Sequence, residues 1–315
     1  MSEKILIFGN GQIGNFYYNF FSKNNIVSKI ALVDITKKSE VQNAIKEFKP
    51  TTVINTAAKT NLEWCANNKL ESFNVNVLGA NNIAEACDEN DIYFIHLSSG
   101  CIFESKDEND WKTEDSQPQP AAYYSWTKVW AEDLIRFNKS TNFRFLILRP
   151  RQPVSAQINH KNMLIKFLTF TKYVDTPNTG TVIEDLMQWT YELLESKPTG
   201  ILNIANEGYT TPYKIALLLK QYILPELPVE KISKEDLDKM TPNRRVDTIL
   251  DVTKLKGLVK EVKSYEDRLE EIIKDLANNF RNTDKAELKK QMELTVEQSK
   301  QRTTVNNVWQ NLLTR

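Results

Sequence analysis

Cysteine and histidine are scarce in this chain of 315 residues, with three of the first and two of the second. Three cysteines, Cys65, Cys87 and Cys101, are too few and odd in number for a disulfide framework, which points to a cytoplasmic setting. His96 and His160 have no paired-ligand spacing around them, so no metal site is expected. Long hydrophobic runs are missing too, and nothing approaches the roughly 20 apolar residues that a membrane span needs. The opening residues, MSEKILIFGNGQIG, lack the cationic start, apolar stretch and small-residue cleavage site of a secretory signal. Net charge is absent, with 41 basic against 41 acidic residues. Without a global field, no nucleic acid or anionic membrane is expected as a partner, and any anionic ligand has to be held locally. Internal repeats and low-complexity tracts are lacking as well. What remains, 41% hydrophobic and 26% charged, is ordinary for a soluble globular protein. The length allows one two-lobed domain or two smaller ones.

Strand and helix patterns alternate through the first half. KILIFG (4–9), KIALVD (29–34), TTVINTAA (51–58), IYFIHL (92–97) and FRFLILRP (143–150) read as strands. Helical spacing separates them at 13–24, 39–50, about 66–89 and 123–138. Parallel strands need long crossovers, so this rhythm predicts an α/β fold. Its core is a Rossmann-like, doubly wound parallel sheet with ligands at the carboxyl ends of the strands. Residues 1–152 form the expected dinucleotide-binding domain, to which 181–206 return through ILNIAN. Residues 153–280 form a smaller, mostly helical substrate lobe. The polar stretch 281–315 repeats apolar residues at helical spacing, Leu288, Met292 and Val296 and then Val305, Val308, Trp309 and Leu312. Such an amphipathic tail packs either on its own body, the simpler expectation, or on a partner, which leaves room for a homodimer.

Three of the nine glycines fall within six positions, Gly9-Asn10-Gly11-Gln12-Ile13-Gly14, between the first strand and the first helix. The first glycine permits a tight turn, the second lets backbone approach a pyrophosphate, and the third lets helix and strand pack closely. Phosphates would then meet free N–H groups and the positive end of a helix dipole. Gly9, Gly11, Gln12, Ile13 and Gly14 are therefore candidate dinucleotide-binding residues. Asp34, ending the second strand, suits an adenosine ribose and hence NAD, or else it is a turn aspartate. Lys37 and Lys38 follow closely and suit the 2′-phosphate of NADP, so the cofactor is NADP or NAD.

Tyr124-Ser125-Trp126-Thr127-Lys128 places a phenol and an ammonium four residues apart on one helical face. With 11 tyrosines, a Tyr-x-x-x-Lys match arises by chance on the order of once. Position gives it weight, since the helix follows the strand that ends in Ser98-Ser99. A phenol with an ordinary pKa near 10 is a poor acid–base group at neutral pH, and a neighbouring ammonium is expected to lower it. Ser99 offers a hydroxyl to a substrate carbonyl.

These features together resemble the extended short-chain dehydrogenase/reductases. Within that group the chain is similar to dTDP-4-dehydrorhamnose reductases and, more specifically, to the bifunctional 3,5-epimerase/4-reductases of nucleotide-rhamnose synthesis. NLEWC (61–65), GCIFE (100–104), YSWTK (124–128), LRPRQPVS (148–155), HKNMLIK (160–166), TPN (176–178) and LDVTKLK (250–256) carry the likeness. It spans about residues 4–275, so the tail lies outside it.

The resemblance implies that Ala57, Ala58, Lys59 and Asn76, with Tyr124 and Lys128, also hold the dinucleotide. It implies reduction of a C4 ketone in a UDP- or dTDP-linked 4-keto-6-deoxyhexose, with Tyr124 protonating the alkoxide. Plain reductases carry a bulky aromatic where this chain has Cys101, whereas the bifunctional enzymes carry cysteine and assign epimerisation to it and to a lysine matching Lys166. Hydrogens on carbons flanking a ketone are acidic, so a base on one face and an acid on the other can invert C3 and C5. A thiolate base needs nearby cations, for which Lys128 and Lys166 are candidates. Cys101 as a small filler is the competing reading. Glu104, Arg149, Arg151, Asn178, Arg244 and Arg245 are the implied substrate contacts, arginine being suited to a diphosphate.

The chain departs from the family pattern in four places. One residue separates Gly9 from Gly11 where the family has two, position 99 is serine rather than threonine, and Arg245 stands where proline is common. The 56–65 segment is also shorter than in the plant enzymes. Three functions follow: epimerase and reductase, 4-keto reductase alone, or a non-catalytic NAD(P)-binding regulatory subunit, as in the beta subunit of methionine adenosyltransferase.

Overall fold

The computed structural model describes residues 3–137, 139–241, 243–299 and 305–313. Six parallel strands form the central sheet: β1 (Lys4–Phe8), β2 (Val27–Ala31), β3 (Thr52–Asn55), β4 (Tyr93–Leu97), β5 (Phe145–Arg149) and β6 (Gly200–Asn203). Their order is β6-β5-β4-β3-β1-β2. The chain starts at β1 inside the sheet, winds to the β2 edge and then reverses toward β6, which makes the sheet doubly wound. The reversal lies between β1 and β3, and the carboxyl ends of β1, β3 and β4 open on one rim.

The strands are buried on both faces because helices cover both. Ile5 and Ile7 point to one side, where they pack with Tyr17 and Phe21 of α1 (Gln12–Lys23) and Leu186 and Leu193 of α8 (Ile183–Ser196). Leu6 and Phe8 point to the other, against Val41 and Ile45 of α2 (Lys38–Phe48) and Ile83 and Cys87 of α5 (Ala80–Glu89). Each such side chain, fully buried, contributes about 1.5–3 kcal/mol of transfer free energy. A buried hydrogen bond of 2.8 Å between Tyr17 Oη and Thr190 Oγ1 fixes α1 on α8.

Two local patterns differ from the sequence expectation. The second strand ends at Ala31, so Leu32 is left 76% exposed on a loop. The expected helix over 66–89 is broken into α3 (Leu62–Asn67), α4 (Lys69–Phe73), a wide π-helical turn (Asn74–Gly79) and α5. The break falls at Asn68, whose backbone N–H and side-chain amide both donate to the Trp64 carbonyl, at 2.8 and 2.9 Å.

A second core lies beyond β5. It gathers Leu164 and Ile165 of α7 (Met163–Phe167), Ile215 and Leu219 of α9 (Pro212–Tyr222), and, past the short α10 (Lys234–Met240), Leu269, Ile273 and Leu276 of α11 (Tyr265–Asn282). Leu288 and Met292 of α12 (Lys285–Ser299) and the later Trp309 and Leu312 share that core. Asn306 donates its backbone N–H to the Thr169 carbonyl at 2.8 Å. The described part of the tail is thus built into the second lobe rather than appended to it. Among the described residues no helix is long and apolar enough to cross a membrane.

Candidate active site

At the end of β1 the three glycines meet different demands. Gly9 has φ +107°, and a Cβ there would lie 2.6 Å from both Ala57 N and Thr56 Oγ1. A Cβ on Gly14 would lie 1.9 Å from the Gly9 carbonyl oxygen. Packing therefore requires both outer glycines. A Cβ on Gly11 would meet nothing within 4 Å, so the fold itself does not require that glycine. Gly11 caps α1 without a side-chain hydrogen bond, and the first turn holds no acidic residue. The amides and positive dipole end of α1 are left to an anion. Gln12 adds a buried Nε2 with no partner among the described residues, while Ile13 packs its side chain against the first core. This bare, donor-rich cradle fits the diphosphate of a dinucleotide.

Asp34 closes a turn, accepting from Thr36 N at 3.0 Å and Thr36 Oγ1 at 2.7 Å. That hydrogen bonding holds its carboxyl below the usual range. Lys37 pairs with Glu40 at 3.0 Å, and Lys38 with Glu85 at 2.9 Å.

The loop after β3 carries Ala57, Ala58 and Lys59, all half-buried. Ala57 N donates to Asn55 Oδ1 at 3.0 Å. Asn76 was expected to touch the dinucleotide, and here the structure differs. Its side chain is 1% exposed, accepts from Lys59 N at 2.7 Å, and donates to the Lys59 carbonyl and to Thr127 Oγ1 at 2.9 and 3.0 Å. With its amide committed in this way, Asn76 ties the loop to α6 (Tyr123–Phe137). The π turn that carries Asn76 aims it inward. The Lys59 ammonium pairs with Glu71 at 3.1 Å and lies 4.7 Å from the Trp64 ring centroid.

Beyond β4 the chain makes one short turn, and Ser99 is its centre. Ser99 Oγ accepts from Cys101 N at 3.2 Å and donates to Cys101 Sγ at 3.0 Å. Burial raises the Tyr124 phenol, and the adjoining Ser99 hydroxyl opposes that rise. Ser125 Oγ aims at the same sulfur from α6, at 3.3 Å. Thiol, hydroxyl and phenol are thereby gathered at one point, with Cys101 half-buried and Tyr124 9% exposed.

Lys128 alters the expected electrostatics. It is 2% exposed and donates Nζ to the Leu97 carbonyl at 2.7 Å. Burial lowers its pKa to about 8, against the opposing charges of Cys101, Glu132 and Cys65. The expectation that Lys128 pulls the Tyr124 phenol down is not met. Burial pushes Tyr124 up, the Cys101 charge adds to that, and the Ser99 hydrogen bond only opposes it. A phenolate here would lose its water without gaining a cation of comparable strength.

Cys101 opens onto a cleft of about 360 Å³ between the lobes, whose walls include Ser125, Arg151, Lys166, Asn178, Arg244 and Arg245. Lys166, half-buried on α7, and Cys101 therefore share one cavity. Arg151 Nη2 donates to Asn178 Oδ1 and to the Val246 carbonyl, both at 2.6 Å, while its buried Nε has no partner among the described residues. Arg244 pairs with Glu104, and Arg245 with Glu63.

Arg149 is a correction. It was expected to bind substrate, yet it is 2% exposed and forks onto Glu132 at 3.0 and 2.6 Å. Its guanidinium lies 5.0 Å from the Phe103 ring centroid, and Ser98 donates to the same carboxylate. Arg149 thus joins β5 to α6 inside the fold. Two cleft residues escaped sequence reasoning. Ser125 adjoins Tyr124, and its signal was a small hydroxyl one position along α6. Gln152, at φ +40° and lining the cleft, precedes a proline, which gives no hint of a left-handed backbone.

The RmlD substrate binding domain family matches residues 3–278. The chain belongs to that family. A trifunctional UDP-glucose 4,6-dehydratase/UDP-4-keto-6-deoxy-D-glucose 3,5-epimerase/UDP-4-keto-L-rhamnose-reductase of Arabidopsis thaliana is 29% identical over 279 residues, 85% of this chain and 41% of that one. The chain thus spans about two fifths of that relative's length. A bifunctional dTDP-4-dehydrorhamnose 3,5-epimerase/dTDP-4-dehydrorhamnose reductase from the same plant is 28% identical, covering 85% of this chain and 91% of its own. The crystal structure of the L780 UDP-rhamnose synthase from Acanthamoeba polyphaga mimivirus superposes with a TM-score of 0.80 at 24% identity, over 87% of this chain and all of that one.

Proposed function

We propose that this protein is a nucleotide-sugar 4-keto reductase that also epimerises its substrate at C3 and C5, acting on a UDP- or dTDP-linked 4-keto-6-deoxyhexose. The observation that carries the reading is the Ser99 hydroxyl, which bonds the Cys101 sulfur at 3.0 Å and adjoins the Tyr124 phenol beside the inter-lobe cleft. A bound NADPH or NADH supplies the hydride for C4. Gly9, Gly11, Gln12, Ile13 and Gly14 hold its diphosphate, and the 57–59 loop, braced by Asn76, flanks the nicotinamide half. Asp34 would be the group offered to the adenosine ribose, by exchange of its bonds to Thr36.

The residues of the chain account for the proton movements. Cys101, as thiolate, takes the proton from C5 or C3, and the charge left on carbon delocalises onto the C4 oxygen. Ser99 and Tyr124 answer that oxygen with hydrogen bonds. Lys166, across the same cleft, returns a proton to the opposite face, which inverts the carbon. When C4 is reduced, Tyr124 gives its proton to the alkoxide. Burial keeps that phenol protonated, so the proton is present for the alkoxide, but it is held more tightly than on a free tyrosine. Lys128 keeps the end of β4 and the face of α6 together by its bond to the Leu97 carbonyl. Arg151, Arg244, Arg245 and Asn178 line the cleft for diphosphate and sugar, with Glu104 beside Arg244, and Arg244 and Arg245 exchange their carboxylate partners for phosphate.

Both enzymatic readings keep this machinery, and a small Cys101 serving only to make room would leave reduction alone. A regulatory, non-catalytic role gains nothing from the tail, whose apolar residues Leu288, Met292, Trp309 and Leu312 are buried in the second lobe. The same proposal includes a cytoplasmic setting, with three free thiols, and a homodimer, which sedimentation would read directly. The test is cofactor oxidation with UDP- and dTDP-4-keto-6-deoxyglucose, with the product's ring stereochemistry read by NMR. A rhamnose-configured product supports the whole reading, a product reduced without inversion supports reduction alone, and no oxidation with either sugar refutes both.

A further inference from the structure

The glycine turn faces more than solvent. A second cleft, of about 240 Å³, is lined on one side by Asn10, Gly11, Gln12 and Asn15 and on the other by the loop containing Gln157, Asn159, His160 and Lys161. None of its lining residues is acidic, and His160 and Lys161 bring the basic groups. The loop is a stiff bracket. Asn162 donates to the Ser155 and Gln157 carbonyls, both at 2.8 Å, and Lys161 N donates to Asn159 Oδ1 at 2.9 Å.

What holds this bracket against the turn comes from the last two long helices. Gln291 Oε1, on α12, accepts from His160 N at 3.0 Å and lies 3.0 Å from His160 Nδ1. Asn279, on α11, donates to the Ala156 carbonyl at 2.8 Å. The family match stops at residue 278, before α12 begins at Lys285. A helix beyond the family's extent is therefore bonded to the loop that faces the diphosphate cradle.

We propose that residues 157–161 are the second jaw of a clasp on the dinucleotide diphosphate, in which Lys161 meets phosphate and Gln291 is the positioning residue that keeps the jaw closed. The proposal rests on the reading of the glycine turn as a dinucleotide seat. The jaw supplies what the turn lacks, since the turn offers amides and dipole but no charged side chain. It also explains the orphan Gln12 Nε2 between the walls, as a donor reserved for a phosphate oxygen held from both sides.

Calorimetric titration of the full chain with NADPH and with NADH tests this. Lys161→Ala is expected to raise the Kd about tenfold and Gln291→Leu several-fold, with the number of sites per chain unchanged. Because Gln291 acts through the jaw, the double variant loses little beyond Lys161→Ala alone. A Gln291→Leu protein with fewer competent sites and an unchanged Kd would overturn the positioning role, since that is the signature of damaged folding. Gly11→Val separates the two levels of the proposal. If it abolishes binding while Lys161→Ala and Gln291→Leu bind like the unaltered chain, the seat stands and the clasp is wrong. If Gly11→Val also binds normally, the seat and the clasp fall together.

Discussion

Two glycines three positions apart are expected to fail in opposite ways. In Gly14→Ala the new methyl would start 1.9 Å from the Gly9 carbonyl oxygen and 2.9 Å from Thr56 Oγ1. Both contacts are shorter than any relaxed packing allows, and the first is with backbone, so α1 has to move off β1. Overpacking of this kind costs about 1–3 kcal/mol. For a chain of 315 residues that lowers the melting temperature by roughly 2–5 °C. In Gly11→Val the new Cβ meets no described protein atom within 4 Å, and φ −91° with ψ −172° is extended backbone that valine adopts readily. Stability should stay within about 1 kcal/mol of the unaltered chain, the difference being a weaker cap. Valine would, however, fill the space over the α1 amides. Losing two charge-assisted bonds to a diphosphate, at about 1.5–3 kcal/mol each, weakens dinucleotide binding by roughly 10²–10⁴-fold. Differential scanning calorimetry and dinucleotide titration on both variants read the four numbers. A stable Gly14→Ala, or a Gly11→Val that binds normally, would refute this account of the turn.

Glu132→Ala should strand the Arg149 guanidinium, both side chains being 3% exposed. A loss of about 3–5 kcal/mol in denaturant unfolding is expected. Arg244→Ala breaks an ion pair whose arginine side chain is 55% exposed, so stability should change by less than about 1 kcal/mol. The KM for the sugar nucleotide should nevertheless rise several-fold. Lys128 binds its proton more weakly folded, about 8 against 10.5. Between those values the unfolded chain holds the extra proton, so stability should climb with pH at up to about 1.4 kcal/mol per unit. That gain is complete above the unfolded value and lost as pH falls through about 8. Lys128→Met should flatten the climb, although the neighbouring Cys101, Glu132 and Cys65 also face this lysine.

Much of the architecture was legible because its signals are local. Apolar runs separated by helical spacing gave the parallel sheet, and the Gly9–Gly14 spacing gave the turn after β1. Side-chain partners distant in sequence were not legible. Arg149 looked like a substrate ligand because nothing near it marks Glu132, on the preceding helix, as its partner. The Tyr124–Lys128 spacing was correct as a face of α6, yet burial, which no spacing encodes, raises the phenol instead of lowering it. Asn76 was singled out for the right loop with the wrong contact, because the π turn that aims it inward has no sequence signature. The tail's apolar spacing was plain, while its destination in the second core depended on helices folded 100 residues away in the chain. Ser125 was passed over because attention to the tyrosine beside it left the small hydroxyl unread.

The central claim is that Cys101 acts on carbon-bound protons in the same pocket where Tyr124 serves reduction. Incubation with a nucleotide-linked 4-keto-6-deoxyglucose in heavy water, without reduced dinucleotide, measures this by NMR. Deuterium should enter at C3 and C5 with the unaltered chain and stay out with Cys101→Ala, which should still reduce the ketone when NADPH is supplied. Undiminished exchange in Cys101→Ala would contradict the claim.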